Sequence, residues 1–374
     1  MSSPHWKALS LASLLCLGGA VSVAQEPLSL RQAVDLALGK TPQVTVARAE
    51  EKDAGAAASL ARTQLMPQLS FTEEISRGDD PVYAFGSRLR QRQFTQADFA
   101  LNALNRPQPI GNFSTRFSGS WMAFDSFKTQ RAIRRADLFK QSASSSSKAI
   151  DQQVMLRVVT AYQQVLYAER EIEVARHEQE TAAALLTSVD GRVRAGLAVE
   201  SDRMSADVEA AARKEELIAA QGDLELAWAE LREAIGAPEL QATKLKAIEP
   251  HAFPEGSLDQ EIATAAKMRP DLMALGQARS AQSEAVGAAR SEFGPRVNTY
   301  GNWEEDRGSL TNSGGNNWVA GIQISVDILP LGKRAQLASA SAAKQRIDGQ
   351  LAISQQEARL QVSRAHIHRK TAAL

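Results

Sequence analysis

A chain of 374 residues with 44% hydrophobic but only 5% aromatic content lacks the bulky side chains of a large conventional core. Its 43 basic and 43 acidic side chains cancel, which argues against a nucleic-acid partner, whose electrostatic footprint is a basic excess. Length by itself suggests two or three domains, provided they are compact.

The N-terminus reads as a signal peptide over residues 1–24. His5 and Lys7 precede an apolar run over residues 8–23, and Ser22-Val23-Ala24 offers a small-residue cleavage site before Gln25. The run is short for a membrane helix, which needs about 20 apolar residues. The single cysteine, Cys16, lies inside it, with Leu15 where a lipoprotein signal wants a small residue. The exported chain is therefore expected to carry no disulfide, no reactive thiol and no thiolate metal site.

The rest of the chain divides into a first repeat over residues 25–240, a linker over 241–257 and a second repeat over 258–374. Leu30-Arg31-Gln32-Ala33-Val34-Asp35-Leu36-Ala37 opens an amphipathic helix that carries Pro42 and ends at Pro67. Leu258-Asp259-Gln260-Glu261-Ile262-Ala263 opens a second, carrying Pro270 and ending at Pro295. Pro42 and Pro270 are 228 residues apart, as are Pro67 and Pro295. Chance does not readily place two proline pairs in one register, so the chain is an internal repeat.

Each closing proline is followed by period-two alternation. Leu69, Phe71 and Ile75 oppose Ser70, Thr72, Glu74 and Ser76, and Phe113, Phe117, Trp121 and Ala123 form a return strand. In the second repeat Val297, Thr299 and Trp303 alternate with polar residues, followed by Trp318, Ala320, Ile322, Ile324 and Val326. Four segments of this kind suit membrane β-strands, with Leu69, Phe71, Phe117, Trp121, Ile322 and Ile324 on the lipid side. A half-buried soluble sheet produces the same alternation, and the strands alone favour it. The connection inside the first pair, residues 77–112, is long and polar, either exposed and functional or disordered, and in a barrel it fits an extracellular loop; the one in the second, residues 306–317, is short and rich in glycine and asparagine.

Residues 128–235 contain no proline and break once, between Asp190 and Asp202. About 60 helix-compatible residues precede the break, enough to span about 90 Å. The returning arm carries Leu217, Leu224 and Leu231 at seven-residue spacing with Ala220, Ala227 and Ala234 as companions, a coiled-coil seam of large and small residues. Gly236-Ala237-Pro238 stops it. The serine run 144–147 is read as a solvated face of the outgoing helix. Four membrane strands cannot close a barrel, and open edges are not tolerated in lipid, so membrane strands here require several copies of the chain.

From Leu28 onward the residues resemble the TolC-like outer-membrane efflux protein family. The most specific segment is the hairpin turn, Arg192-Val193-Arg194-Ala195-Gly196-Leu197-Ala198 with Asp202, which is similar to the family's Arg-aromatic-x-x-Gly-x-x-Ser-x-x-Asp turn. Val193 replaces the usual aromatic residue and Val199 the usual serine. The resemblance implies a mainly α fold with a membrane β-barrel part. Four barrel strands per chain and long coiled-coil hairpins would build a trimeric α-helical tunnel in the outer membrane and periplasm of a Gram-negative bacterium.

It further implies a passive exit duct of a tripartite efflux or type I secretion system. Arg192, Arg194, Gly196, Leu197, Ala198 and Asp202 would dock a periplasmic adaptor protein that leads to an inner-membrane pump. Arginine and aspartate at such a turn also cap helix ends and stabilise their dipoles without any partner. Asp125 lies 71 residues before Gly196, and the same step from Asp327 passes Leu374. The second hairpin is thus expected to lack its tip, and with it the gating residues. Two alternatives stay open: a non-transporting periplasmic or secreted coiled-coil scaffold, and a non-functional fragment of such a channel.

No other chemistry competes. His177, His251, His366 and His368 lack zinc-site spacing, and there is neither a phosphate-binding glycine loop nor a nucleophile elbow. No enzymatic activity, cofactor or bound metal is expected.

Overall fold

The computed structural model describes residues 27–240, 244–249 and 256–372. The expected signal segment with Cys16, part of the expected linker and His251 lie outside these residues. In chain order the elements are α1 (Leu30–Lys40), α2 (Pro42–Thr63), β1 (Gln68–Gly78), α3 (Pro81–Arg90), a 3-10 turn (Gln96–Phe99), α4 (Leu101–Asn105) and β2 (Ile110–Phe124). They continue with α5 (Lys128–Arg194), α6 (Glu200–Ile235), α7 (Leu258–Met268), α8 (Pro270–Ser291), β3 (Arg296–Arg307), β4 (Gly315–Ser325) and α9 (Leu331–Ala372).

The repeat reaches down to individual hydrogen bonds. At the start of α1 the Ser29 N–H donates to Gln32 Oε1 at 2.9 Å and the Gln32 N–H to Ser29 Oγ at 3.3 Å. Ser257 and Gln260 close the same reciprocal cap before α7, both bonds at 3.4 Å. The helix expected to carry Pro42 is in fact two helices, and so is its counterpart at Pro270. A proline pushes the residue before it out of the helical region, and Thr41 and Arg269 are extended at φ −67°, ψ 128° and φ −70°, ψ 122°. α1 and α7 have 11 residues each, and α2 and α8 have 22 each.

The described chain forms two compact units. The first contains Arg157–Pro250 with the chain up to Ala37. Its core is the seam between the outer part of α5 and α6, where Val158, Tyr162, Val165, Leu231 and Ile235 are fully buried. Leu217 and Leu224 are half-buried on the same side of α6, so the seven-residue spacing marks the packed face. Arg213 reaches Glu178 across the pair at 3.4 Å. Part of the stretch read as a linker is tied down: the Leu28 N–H donates to the Lys244 carbonyl and the Lys246 N–H to the Leu28 carbonyl, at 2.9 and 3.0 Å. The buried Tyr162 hydroxyl lies 2.7 Å from the Leu28 carbonyl and 2.6 Å from that of Lys246, and burial raises its pKa.

The second unit contains Leu38–Leu156 with the chain from His251 onward. Its sheet is antiparallel throughout in the order β1-β2-β3-β4, leaving β1 and β4 as edges. Small residues pack the helices: Ala47, Ala58, Ala274, Ala281 and Ala358 are buried. Ion pairs link them on the outside, among them Arg48–Asp151 at 2.6 Å, Lys128–Glu292 at 2.9 Å and Arg279–Asp348 at 2.5 Å. The serine run is helical but only in part a solvated face, with Ser146 exposed. Ser145 and Ser147 are buried, with Ser145 Oγ 2.8 Å from Gln277 Oε1 and Ser147 Oγ accepting from Arg48 at 2.7 Å. A serine is small enough for close helix approach, and its hydroxyl finds a partner there.

The long connection between β1 and β2 also differs from expectation. Much of it is exposed, but it is folded, into α3, the 3-10 turn and α4 around a small aromatic centre. Phe94 lies 4.7 Å from Phe85 and 5.0 Å from Phe99. Asp80 caps α3 by accepting from the Tyr83 N–H at 2.9 Å, and Asp98 accepts from the Thr95 N–H and from Arg88, each at 2.7 Å.

Candidate functional site

Two surfaces hold the residues that the sequence singles out. The first is the turn between α5 and α6. The Leu197 N–H donates to the Arg192 carbonyl at 2.8 Å and the Gly196 N–H to the Val193 carbonyl at 3.0 Å. These nested bonds need a left-handed residue between them, which Gly196 supplies at φ +73°. Gly236 repeats the device at the end of α6, at φ +70°.

All six turn residues are brought together, but their side chains do different things. Arg194 pairs with Asp190 one turn back at 2.6 Å, and Asp202 accepts from the Val199 N–H at 3.3 Å to start α6. Val199 has no acceptor of its own, so Asp202 supplies the only side-chain bond of that cap. Arg192 has no ion-pair partner among the described residues, and its side chain is exposed. Leu197 is 72% exposed, and beyond it stand Val199, Met204 and Val208, all exposed. The sequence reading noted Val199 only as a departure from the family turn and did not single out Met204 or Val208; the three sit four or five residues apart next to the turn. Arg203 is held by Glu200 at 2.6 Å, a contact that raises its pKa further. The turn thus presents an apolar tip flanked by one uncommitted cation.

The second surface is the apolar face of the sheet. Register sets Phe71 opposite Phe117, Phe117 opposite Trp303, and Trp303 opposite Trp318, a row of four aromatic residues across four strands. Phe71 and Phe117 are 5.1 Å apart, and Phe117 and Trp303 5.9 Å. Next to this row Leu69 faces Gly119 and Gly301 faces Ala320; further along come Thr299 with Ile322 and Val297 with Ile324. Leu69, Phe71, Phe117, Trp121, Ile322 and Ile324 are all exposed, Leu69 the most at 83%. The Trp121 indole N–H donates to the Leu65 carbonyl at 2.9 Å. A single apolar side chain in water is ordinary, but a contiguous apolar face of this width marks a surface that meets something other than water.

The opposite face is polar and charged. Glu304 accepts from Arg116 at 2.7 Å and from Ser114 at 2.8 Å, and Asp306 is wholly buried. Glu304 and Asp306 were not singled out from the sequence, although their spacing of two residues along β3 carries the signal. No helix among the described residues is long and apolar enough to cross a membrane, and no group of three or more histidine, cysteine, aspartate or glutamate side chains among them is arranged to hold a metal ion.

Comparison with known proteins gives one family and one fold. Residues 33–237 and 262–373 match the family described as outer membrane efflux protein. No curated protein sequence matches. Among solved structures, the chain superimposes on CusC, reported in connection with transmembrane channel formation, with a TM-score of 0.76 at 17% identity, covering 91% of this chain and 76% of that one. It superimposes on the outer membrane protein VceC from Vibrio cholerae with a TM-score of 0.73 at 18% identity, covering 88% and 75%. With the MtrE outer membrane channel of Neisseria gonorrhoeae the values are 0.73 and 18%, covering 91% and 73%.

Proposed function

Because this chain belongs to the outer membrane efflux protein family, we propose that it is the outer-membrane exit duct of an efflux or secretion assembly, working as a homotrimer. The observation that carries this reading is the sheet: one face with an exposed apolar band that ends at the Glu73–Arg307 pair, one charged face and two open edges, β1 and β4. In lipid every backbone donor and acceptor must be satisfied, so such a sheet is stable only when its edges pair with further copies. Three chains supply about twelve strands, within the range of closed outer-membrane barrels. The apolar face then meets lipid, and the charged face lines the bore. The scaffold alternative has no corresponding support, because a soluble protein would cover the aromatic row.

The α5–α6 turn is the proposed docking end for a periplasmic adaptor that leads to an inner-membrane pump. Leu197 and Val199 would supply buried apolar area on contact, with Arg192 the cation free to pair. The test is fractionation of cells that express the full chain, followed by electrophoresis with and without heating. Trimers in the outer-membrane fraction that dissociate only on heating are expected. Recovery in the soluble periplasm without detergent would overturn the reading.

A further inference from the structure

The segment between β1 and β2 lies across the polar face of the sheet at the strand ends remote from the helices. On β1, Ser76 Oγ is 2.8 Å from the Tyr83 hydroxyl. On β2, Gln91 Nε2 donates to the Gly111 carbonyl and to Asn112 Oδ1, both at 2.9 Å. On β3, Arg90 approaches Glu304 at 3.6 Å. On β4, Arg92 donates to the Asn316 carbonyl at 2.7 Å. A Cβ added at Gly315 would collide with the Arg90 carbonyl, so the segment is pressed directly on that strand. Asn112, Ser114 and Asp306 are buried beneath it, whereas Ser120, further along the same face, is exposed.

The anchor runs inward through one buried relay. Gln91 donates to Asn112 Oδ1, and Asn112 Nδ2 donates to Asp306 Oδ1 at 2.7 Å. Gln91 is 2% exposed and Asp306 not at all, yet Gln91 Oε1 and Asp306 Oδ2 have no hydrogen-bond partner. A buried acceptor left unpaired raises the free energy of the state that buries it, so this anchor is specific but under-satisfied.

We propose that residues 79–109 are a plug seated in the outer mouth of the bore and latched there by the Gln91–Asn112–Asp306 relay, which can release. The proposal rests on the reading that the polar face lines a channel. Its seated side carries the latch, while Val82, Leu89, Phe99 and Leu101 remain exposed on the segment, where they are available to the plugs of the other two copies. Export then requires the plug to move as a folded piece, since its aromatic centre and its caps do not involve the sheet.

The test uses the full chain with Cys16→Ser, carrying either Ser114→Cys under the plug or Ser120→Cys on the open part of the same face. Each is labelled with a membrane-impermeant maleimide, and each is measured for ion conductance in planar bilayers with potassium chloride. Gln91→Ala and Gly315→Ala release the plug by two separate routes, one polar and one steric. Either is expected to speed labelling of Ser114→Cys about ten-fold, which corresponds to about 1.4 kcal/mol of lost anchoring, with Ser120→Cys unchanged. Single-channel conductance is expected to rise in both variants. Unchanged labelling and conductance in both overturn the plug while leaving the channel standing. Absence of pores from the parent and both variants overturns the channel, and the plug with it.

Discussion

Among single residues, two glycines of α5 and its turn have opposite predicted effects. Gly196 sits at φ +73° with open space where a Cβ would go, so Gly196→Ala meets no clash and carries only the left-handed backbone penalty, about 1–2 kcal/mol. Gly191 also has open space around it but lies inside the helix, so Gly191→Ala is expected to stabilise by about 0.5–1 kcal/mol. Thermal melting of the two variants against the parent reads both signs at once. Asp271 gives a pH prediction. Arg269 binds it in a two-bond fork at 2.7 and 3.1 Å, and this contact, with the Leu272 N–H, holds its carboxyl below the ordinary aspartate range. A lowered pKa means the folded state binds the proton less readily than the unfolded chain. The stabilisation is present above the ordinary value near pH 4 and is lost as pH falls through the lowered one. Both partners are partly exposed, so the effect is about 0.5–1 kcal/mol after screening. Asp271→Asn should melt below the parent at pH 7 and converge with it in acid. A constant difference across that range would exclude the ion pair as the cause.

For whole elements, burial decides which leucines of α6 matter within one chain. Leu231 is fully buried in the seam, and Leu231→Ala should destabilise by about 2–5 kcal/mol. Leu226, five residues earlier, is 58% exposed, and Leu226→Ala should change the stability of a single chain by less than about 0.5 kcal/mol. If α6 packs against a second copy, Leu226→Ala will instead lower the temperature at which the trimer dissociates. The seam was legible because Leu217, Leu224 and Leu231 recur every seven residues. The outer stripe of Met204, Val208, Ile218 and Leu226 was not, because its spacing follows the drift of a 3.6-residue helix and mixes with polar positions. The proline breaks were missed for a related reason. Apolar periodicity continues through Pro42 and Pro270, and only the backbone restriction on Thr41 and Arg269 separates the two helices.

In the whole molecule the two faces of the sheet should respond differently to charge. Ile322→Lys places an ammonium on the apolar face, where a membrane barrel loses about 2–4 kcal/mol at the midplane. Gln323→Lys, the next residue, points to the polar face and should be tolerated. Yield of heat-dissociable trimers in outer-membrane fractions measures both. Equal tolerance of the two would count against a lipid-facing role for Ile322.

The sequence by itself determined the repeat, the four strands with their faces, the long hairpin and its turn, because each obeys a local rule: period two, period seven, proline and glycine. The tertiary structure alone decided what long-range contacts decide. It made the serine run a packing surface and turned the supposed loop into a folded segment on the sheet. It also joined Gln91, Asn112 and Asp306, which are up to 215 residues apart in the chain. No periodicity records a contact between a helix end and a strand that distant. Only the assembled sheet, with β2 beside β3, brings those three side chains within hydrogen-bond reach.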